Sequence, residues 1–326
     1  MEFLKNYWYP LALSSEVTAH KPYGTSLLGD PLVLFRDGNG RVLCLHDACP
    51  HQGTPLSLGS VKEGNLECAY HGWQFGEGGE CKKIPSLAEH IKIPKSAKCR
   101  FAYPTEEHGK VIWVWAGNPA KATPLRLPEG TTEEGWTHDV IVREQEVSHH
   151  IMVAGTFDFT HIAFMHTNSL GKKRKFSPGA VEVDLVDYDH GLRSMLRNPD
   201  SKDGYDDMVF TFEPPCLVQI ASSPKPGWRL VANQYPVPLT KSKTRLFLFI
   251  CRNWLTWNPL VSWQLRRLSH QILDEDLPIV KAQYERHESG DGYWNCSVRA
   301  DILFVRYRQW YEREARKFAE NSLSAR

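Results

Sequence analysis

The stretches Cys49-Pro50-His51 and Cys68-Ala69-Tyr70-His71 each begin with a cysteine and end with a histidine. Two thiolates and two imidazoles form the mixed ligand set of one kind of [2Fe-2S] cluster, in which the thiolates bind one iron and the imidazoles bind the other. The alternative is a tetrahedral zinc site, whose ligands usually come as Cys-x-x-Cys and His-x3–5-His pairs. The spacing therefore favours the cluster.

The residues after each histidine also favour the cluster over zinc. Gln52-Gly53 follows the first histidine, and Gly72-Trp73 follows the second. A glycine lets the backbone fold close over inorganic sulfides, which need amide hydrogen-bond donors. A zinc ribbon has no such need.

With these motifs the chain resembles the Rieske non-haem iron oxygenases. Cys49, His51, Cys68 and His71 match the cluster motif of that family position by position. The resemblance implies that these four side chains hold a Rieske-type [2Fe-2S] cluster.

The order of predicted elements indicates two domains in this chain of 326 residues. Between residues 31 and 115, short strands alternate with glycine-rich turns, and Asp37-Gly38-Asn39-Gly40 is typical of a hairpin. Both ligand pairs are then expected at hairpin tips. We predict a small all-β Rieske domain over residues 1–120, followed by a linker that extends to about residue 135.

The rest of the chain predicts an α+β domain over residues 121–326. A helical segment is expected at 158–166 and two long helices at 263–288 and 302–321, with strands between them at 181–188, 208–212, 217–221, 228–235 and 244–251. Strands followed by long helices favour an antiparallel sheet covered by helices on one face, a helix-grip-like arrangement.

The segment from Asp158 to His166 contains the pattern Asp-x2-His-x4-His. A helix must be distorted or end there if His161 and His166 are to reach one metal. Alone this pattern is weak, because such histidines are more often packed or solvated. A cluster in the same chain changes that, since an electron-delivering domain implies an electron-consuming centre such as mononuclear Fe(II).

A third iron ligand is expected from Asp274-Glu275-Asp276 on the first long helix. These side chains point in different directions on a helix, so only one can bind. The resemblance selects Asp276, with Asp274 as second choice and a solvated helical face as the alternative. Two histidines and one carboxylate would leave positions open for O2.

The resemblance gives Asp158 a different role, as a catalytic bridge between subunits. It would accept hydrogen bonds from His71 of a neighbouring subunit and from His161. The resemblance also implies that the subunits form a homotrimer. Many family members have an asparagine three or four residues before this aspartate, where this chain has Gly155 and Ala154. The role of that asparagine is therefore in doubt here.

Composition indicates an ordinary globular protein, with 41% hydrophobic residues, 24% charged residues and a net charge of +1. Nothing in it points to nucleic acid or to a membrane surface. The most apolar stretch, 246–265, is interrupted by polar residues and proline, so we expect no membrane anchor. Eight cysteines in a chain of this length do not indicate a disulfide scaffold, and we find no signal-peptide pattern, so we expect a cytoplasmic protein.

The resemblance implies the terminal oxygenase of a Rieske-type monooxygenase system, closest in pattern to the homotrimeric monooxygenases and demethylases and to the pheophorbide-oxygenase group. It would use O2 to hydroxylate or oxidatively dealkylate a small to medium-sized organic substrate, and desaturation stays open. No Gly-x-Gly-x-x-Gly follows a strand. Electrons from NAD(P)H are therefore expected through a ferredoxin, a flavin reductase or both.

Three points stay open from the sequence. The chain could instead be a Rieske electron-transfer or redox-sensing protein, although the second motif would then have no role. The basic residues between 82 and 100 would steer an acidic partner or are merely solvated. Phe157, Phe164, Trp254 and Trp257 indicate either an aromatic-lined pocket or a core.

Overall fold

A computed structural model describes residues 3–169, 182–188, 191–197, 208–289 and 296–323. The chain divides into two compact units. Lys5–Leu125 form the N-terminal unit, and Met1–Leu4 with Arg126–Arg326 form the C-terminal unit. Among the described helices, none combines the length and the apolar composition of a bilayer span.

The N-terminal unit is built from short antiparallel strands, as the glycine-rich turns predicted. Its strands are β1 (Tyr7–Leu13), β2 (Tyr23–Leu27), β3 (Asp30–Arg36), β4 (Val42–His46), β5 (Ser60–Lys62), β6 (Asn65–Glu67), β7 (Gln74–Phe75), β8 (Cys81–Lys83), β9 (Ala102–Tyr103), β10 (Thr105–His108) and β11 (Val111–Ala116). They form sheets in the orders β1-β11-β10, β2-β3-β4-β9 and β5-β6-β7-β8.

The predicted hairpin joins β3 to β4. Phe35 lies opposite Leu43, and the turn is closed by the Asp37 carboxylate, which accepts hydrogen bonds from the Asn39 and Arg41 N–H groups, both 2.9 Å. Alternate residues of these strands, together with β6 and β7, fill one apolar core. The predicted all-β character of this unit is confirmed.

The C-terminal unit combines one large sheet with helices. Its elements are β12 (Thr137–Gln145), α1 (His149–Phe157), α2 (Ile162–Met165), β13 (Glu182–Tyr188), β14 (Gly191–Arg197), β15 (Met208–Glu213), β16 (Leu217–Ser222), β17 (Leu230–Pro238), β18 (Thr244–Arg252), α3 (Pro259–Glu288) and α4 (Ile302–Leu323). The strands run antiparallel in the order β12-β18-β17-β16-β15-β14-β13. The predicted α+β fold is confirmed.

The long helix α3 covers one face of this sheet. Because strand side chains alternate between faces, Leu248 and Ile250 of β18 point to the same side. They pack with Ile141 of β12 and with Leu265 and Leu273 of α3. This contact fixes which side of α3 faces the sheet, and Leu248, Ile250, Leu265 and Leu273 also line a cavity between them.

Two sequence predictions about local structure need correction. Within the predicted helical segment 158–166 only Ile162–Met165 is helical, so the segment is shorter than predicted, and the helix is interrupted as the spacing of the histidines required. Of the two cysteine-histidine turns, only the second is a hairpin tip, between β6 and β7. The first follows β4, and the next strand, β5, belongs to another sheet.

Candidate metal centres

The two cysteine-histidine loops of the N-terminal unit have the same backbone hydrogen bonds. In the first, the Cys49 N–H donates to the Thr54 carbonyl oxygen (2.9 Å) and the Gly53 N–H donates to the Cys49 carbonyl oxygen (2.8 Å). The second loop repeats both bonds around Cys68, at 2.8 and 3.0 Å. The chain thus builds the same turn twice.

Glycine is required in both turns. Gly53 has φ of +74° and Gly72 has φ of +68°, in the left-handed region that other residues rarely adopt. At Gly72 a Cβ atom would also lie only 3.1 Å from the Pro85 ring. The glycines that follow His51 and His71 in the sequence therefore shape the loops.

Each loop presents one buried thiol and one exposed imidazole. Cys49 and Cys68 are 3% and 2% exposed and form no disulfide, whereas the rings of His51 and His71 lie at the surface with centroids 4.7 Å apart. The Trp73 ring stacks on His51 at 4.5 Å. Two thiols inside and two imidazoles outside fit the mixed ligation of a Rieske cluster.

The electrostatics around Cys49 also suit a cluster. Burial raises the pKa of this thiol to about 11, while backbone N–H groups of His51 and Gln52 act in the opposite direction by pointing at the sulfur. A buried thiolate therefore needs a cation. Bound iron would supply the charge, and the amides would remain as donors to the sulfur.

In the C-terminal unit, His161, His166 and Asp276 form one cluster of potential metal ligands, whose ligand atoms lie within 4.8 Å of one another. The two histidine Nε2 atoms are 3.2 Å apart. Asp276 Oδ1 lies 3.5 Å from Nε2 of His161 and 3.2 Å from Nε2 of His166. The structure thus brings together three side chains that the sequence predicted as ligands.

These distances fit a divalent ion. Three ligands at right angles, each about 2.1 Å from the metal, would be separated by roughly 3 Å. Burial raises the pKa of Asp276, which disfavours its carboxylate unless a positive charge lies nearby. Two imidazoles and one carboxylate on one side of an ion form the facial triad of non-haem Fe(II) sites.

The break between α1 and α2 lets both histidines face the same point. The Asp158 carboxylate accepts hydrogen bonds from the Thr160 N–H (2.9 Å) and hydroxyl (2.6 Å), which replace the next helical hydrogen bonds. Only one helical turn follows, with His161 just before it and His166 just after it. The helix is interrupted there, as the spacing of the histidines required.

The three consecutive acids Asp274, Glu275 and Asp276 of α3 point in three directions, as expected. Asp276 faces the histidines, whereas Asp274 is 60% exposed and lies 3.3 Å from Arg143. Asp274, the second choice for the iron ligand, is thus directed away from the cluster of His161 and His166. This geometry favours Asp276.

Glu275 contacts the site in a role that the sequence did not predict, as the hydrogen-bond partner of His166. Its Oε2 accepts hydrogen bonds from His166 Nδ1 (2.8 Å) and from the Ser169 hydroxyl (2.7 Å), and its Oε1 accepts one from Gln271 (2.9 Å). Burial alone would raise the pKa of Glu275, but these bonds outweigh it and lower the pKa. A charged Glu275 keeps the proton of His166 on Nδ1, so that Nε2 faces the other ligands.

Asp158 lies beside His161. Its Oδ2 is 3.9 Å from His161 Nδ1, too far for a hydrogen bond, and its side chain is 45% exposed. Its Oδ1 is occupied by Thr160. The proximity to His161 agrees with the predicted bridge, and the contact with His71 of a neighbouring subunit stays a prediction.

A cavity of about 500 Å³ opens onto the triad. It lies between α3 and the sheet face formed by β12 and β15–β18, and Asp158, His161, His166 and Asp276 line it. Most of the described residues that line it are aliphatic, and the aromatic rings among them belong to Phe210, His161 and His166. The four aromatic residues suggested by the sequence do not line it. Phe157 is in the core, for example, and Phe164 is 82% exposed.

Comparison with known proteins agrees with both candidate centres. Residues 7–97 match the Rieske [2Fe-2S] domain family, and residues 146–317 match the family of the vanillate O-demethylase oxygenase C-terminal domain. The chain is 32% identical to chloroplastic chlorophyllide a oxygenase of Arabidopsis thaliana over 94% of this chain and 57% of that protein. It is also 32% identical to the vanillate O-demethylase oxygenase subunit of a Pseudomonas species, over 52% of this chain and 47% of that protein.

The chain spans just over half the length of the first of these curated relatives. Among solved structures, dicamba monooxygenase bound to dicamba superposes with a TM-score of 0.85 at 25% identity, covering 98% of this chain and 100% of that one. The QL mutant of Pseudomonas putida CBB5 NdmA with caffeine shares the fold, with a TM-score of 0.81 at 23% identity over 97% of this chain and 92% of that one.

Proposed function

We propose that this chain, which belongs to the Rieske non-haem iron oxygenases, is the terminal oxygenase of a Rieske-type monooxygenase system. The observation that carries the proposal is the cluster of His161, His166 and Asp276 at the wall of a cavity of about 500 Å³. A metal-ligand triad that opens onto an apolar cavity gives O2 and an organic substrate access to the same ion.

Two groups of side chains would hold the cofactors. Cys49, His51, Cys68 and His71 would hold the [2Fe-2S] cluster, and His161, His166 and Asp276 would hold mononuclear Fe(II). When bound, the cluster supplies single electrons and the iron supplies the activation of O2.

The protein itself positions the metal ligands and the substrate and excludes water from the site. Glu275 keeps the proton of His166 on Nδ1 and so directs Nε2 to the metal position. The aliphatic walls bind the substrate by burial and keep water away from the reacting atoms. Hydroxylation and oxidative dealkylation both follow from this arrangement, because both begin at a carbon placed beside the metal position.

An electron-transfer or redox-sensing protein is the rival function. Such a protein would need the two loops of the N-terminal unit but not the triad or the cavity. The match of residues 146–317 to an oxygenase domain favours the oxygenase. The names of the relatives differ in substrate, from chlorophyllide a to toluene-4-sulfonate and vanillate, so they leave the substrate of this chain open.

We further propose that the working form is a homotrimer in which Asp158 connects one subunit's cluster to the next subunit's iron. The exposed Asp158 carboxylate beside His161 supports this role, because an imidazole of a neighbouring chain can reach it.

Electrons would come from NAD(P)H through a ferredoxin, a flavin reductase or both. Six basic side chains between residues 82 and 100 are exposed and could attract an acidic electron donor. They are Lys82, Lys83, Lys92, Lys95, Lys98 and Arg100. A cytoplasmic location stays a prediction, and several relatives are named as chloroplastic proteins.

The test is substrate-stimulated O2 uptake across a compound library, with a ferredoxin and reductase as electron source. We expect some compounds to raise the rate and to be converted either to a hydroxylated product with one oxygen atom from labelled O2 or to a dealkylated product and an aldehyde, and Asp276→Ala to abolish both effects while the cluster remains. If Asp276→Ala equals the wild type in iron content and in O2 uptake with every compound, the proposal is wrong.

A further inference from the structure

The cavity beside the triad has an uneven charge distribution. Most of its described lining residues are aliphatic or methionine, including Met152, Ile220, Leu230, Leu246 and Leu268. The acidic residues among them, Asp158 and Asp276, both lie at the metal centre. Among the described lining residues Arg143 is the single lysine or arginine.

The hydrogen-bond donors of the Arg143 guanidinium are only partly paired with acceptors of the protein. Its Nη2 donates to His270 Nδ1 at 2.8 Å and lies 3.3 Å from Asp274 Oδ1. Burial and the nearby Arg143 lower the pKa of His270, so the ring is neutral and accepts this bond. The contact with the exposed Asp274 is weak, since solvent screens it. Within the described part of the chain, Nε and Nη1 of Arg143 have no hydrogen-bond partner.

Arg143 lies close to the triad along α3. Its partners His270 and Asp274 precede Asp276 by six and two residues, which corresponds to roughly 9 and 3 Å along the helix axis. Gln145 lines the cavity two residues farther on the same face of β12 and offers an amide donor nearby. Arg143, His161, His166 and Asp276 line the same cavity, so a molecule held at Arg143 occupies the space that opens onto the metal position.

We propose that the cavity takes molecules with an aliphatic or alicyclic body and one carboxylate group, and that Arg143 binds this carboxylate. The inference rests on the proposed function and names the class of its substrate. A planar guanidinium with free donors pairs well with a carboxylate. A site built for such a bond disfavours a neutral analogue, which leaves the guanidinium unpaired.

The preference should be modest in size. A hydrogen bond between charged groups changes affinity by roughly 10- to 100-fold. The Arg143 side chain is 32% exposed, so screening by solvent places the expected preference near the lower limit, at about 10-fold.

The test compares adamantane-1-carboxylate with adamantane-1-carboxamide, which have the same body and differ in charge. Their affinities for the holoprotein are measured by anaerobic calorimetry without an electron donor. We expect the wild type to prefer the carboxylate by about 10-fold, Arg143→Gln to lose this preference while it binds the amide as before, and Arg143→Lys to retain part of it.

Arg266→Gln is the matched control. Arg266 also connects α3 to β12, through the Val140 carbonyl oxygen (3.3 Å) and Asp139 (3.8 Å), but it does not line the cavity. This variant should keep the preference. The inference is overturned if the wild type binds neither compound, if it binds both equally, or if Arg143→Gln keeps the preference. Binding needs no turnover, so failure of the proposed function would show separately, in O2 uptake.

Discussion

Replacing Glu275 should weaken iron binding although Glu275 is not itself a ligand. Its carboxylate fixes the ring of His166, which is 1% exposed, through a bond of 2.8 Å. Loss of such a partner lowers metal affinity by roughly 10- to 100-fold. This corresponds to about 1.4–2.8 kcal/mol.

Because His166 is buried, no water easily replaces the lost acceptor in Glu275→Ala. We therefore expect the loss of iron affinity in this variant to lie near the upper end of the range, at about 100-fold. Glu275→Gln keeps an oxygen that can accept from Nδ1 but loses the charge, so we expect a decrease of about 10-fold. Asp274→Asn is the matched control. It changes the neighbouring residue of the same helix, which faces Arg143 rather than a histidine, and it should leave iron affinity unchanged.

The assay is anaerobic competition for Fe(II) between the protein and a coloured chelator, with the visible spectrum of the cluster as an internal check of folding. The reasoning is refuted if Glu275→Ala binds iron as tightly as the wild type while His166→Ala does not. It is equally refuted if Asp274→Asn weakens binding as much as Glu275→Ala.

Three further predictions concern the triad, the subunits and pH. Asp276→Ala should lose mononuclear iron and keep the cluster, because two imidazoles alone bind Fe(II) poorly; metal analysis checks this. Cys68→Ser should lose only the cluster and His161→Ala only the iron, so each variant should be inactive as a homotrimer. If Asp158 connects subunits, random mixed trimers of the two variants should recover roughly a quarter of wild-type turnover, because an intact cluster then meets the intact iron of a neighbour. Mixed trimers that are proven to form but show no activity would indicate that electron transfer stays within one chain. Burial lowers the pKa of His150 from its ordinary value of 6.5 to about 3, so below pH 6.5 the unfolded chain binds a proton that the folded unit does not. Stability is therefore lost as pH falls, by about 2 kcal/mol at pH 5 from this group; urea unfolding at pH 7 and pH 5 should show a smaller loss for His150→Gln than for the wild type.

The sequence was most informative where chemistry is local. The cysteine-histidine pairs lie within single loops, and His161 and His166 lie on either side of one helical turn. The short sequence separation within each motif therefore limits which side-chain atoms can bind the same metal. Asp276 required the family resemblance, because nothing near it in the chain shows which side of α3 faces the histidines.

Features that depend on tertiary contacts were missed or wrong. Glu275 approaches His166 only because α3 packs across the sheet and past α2. The helix predicted over 158–166 is shorter than expected for a local reason, since the Asp158 carboxylate accepts hydrogen bonds from Thr160. Aromatic residues gave no guide to the cavity, since burial in the core and exposure at the surface cannot be distinguished from the sequence.

The most direct test of a cluster and a mononuclear iron in one chain is a Mössbauer spectrum of anaerobically purified, 57Fe-enriched protein. The account predicts cluster iron and high-spin ferrous iron in a ratio of about two to one, with the ferrous component missing from Asp276→Ala. Cluster iron alone in the wild type would indicate an electron carrier, and zinc in place of the cluster would contradict both assignments.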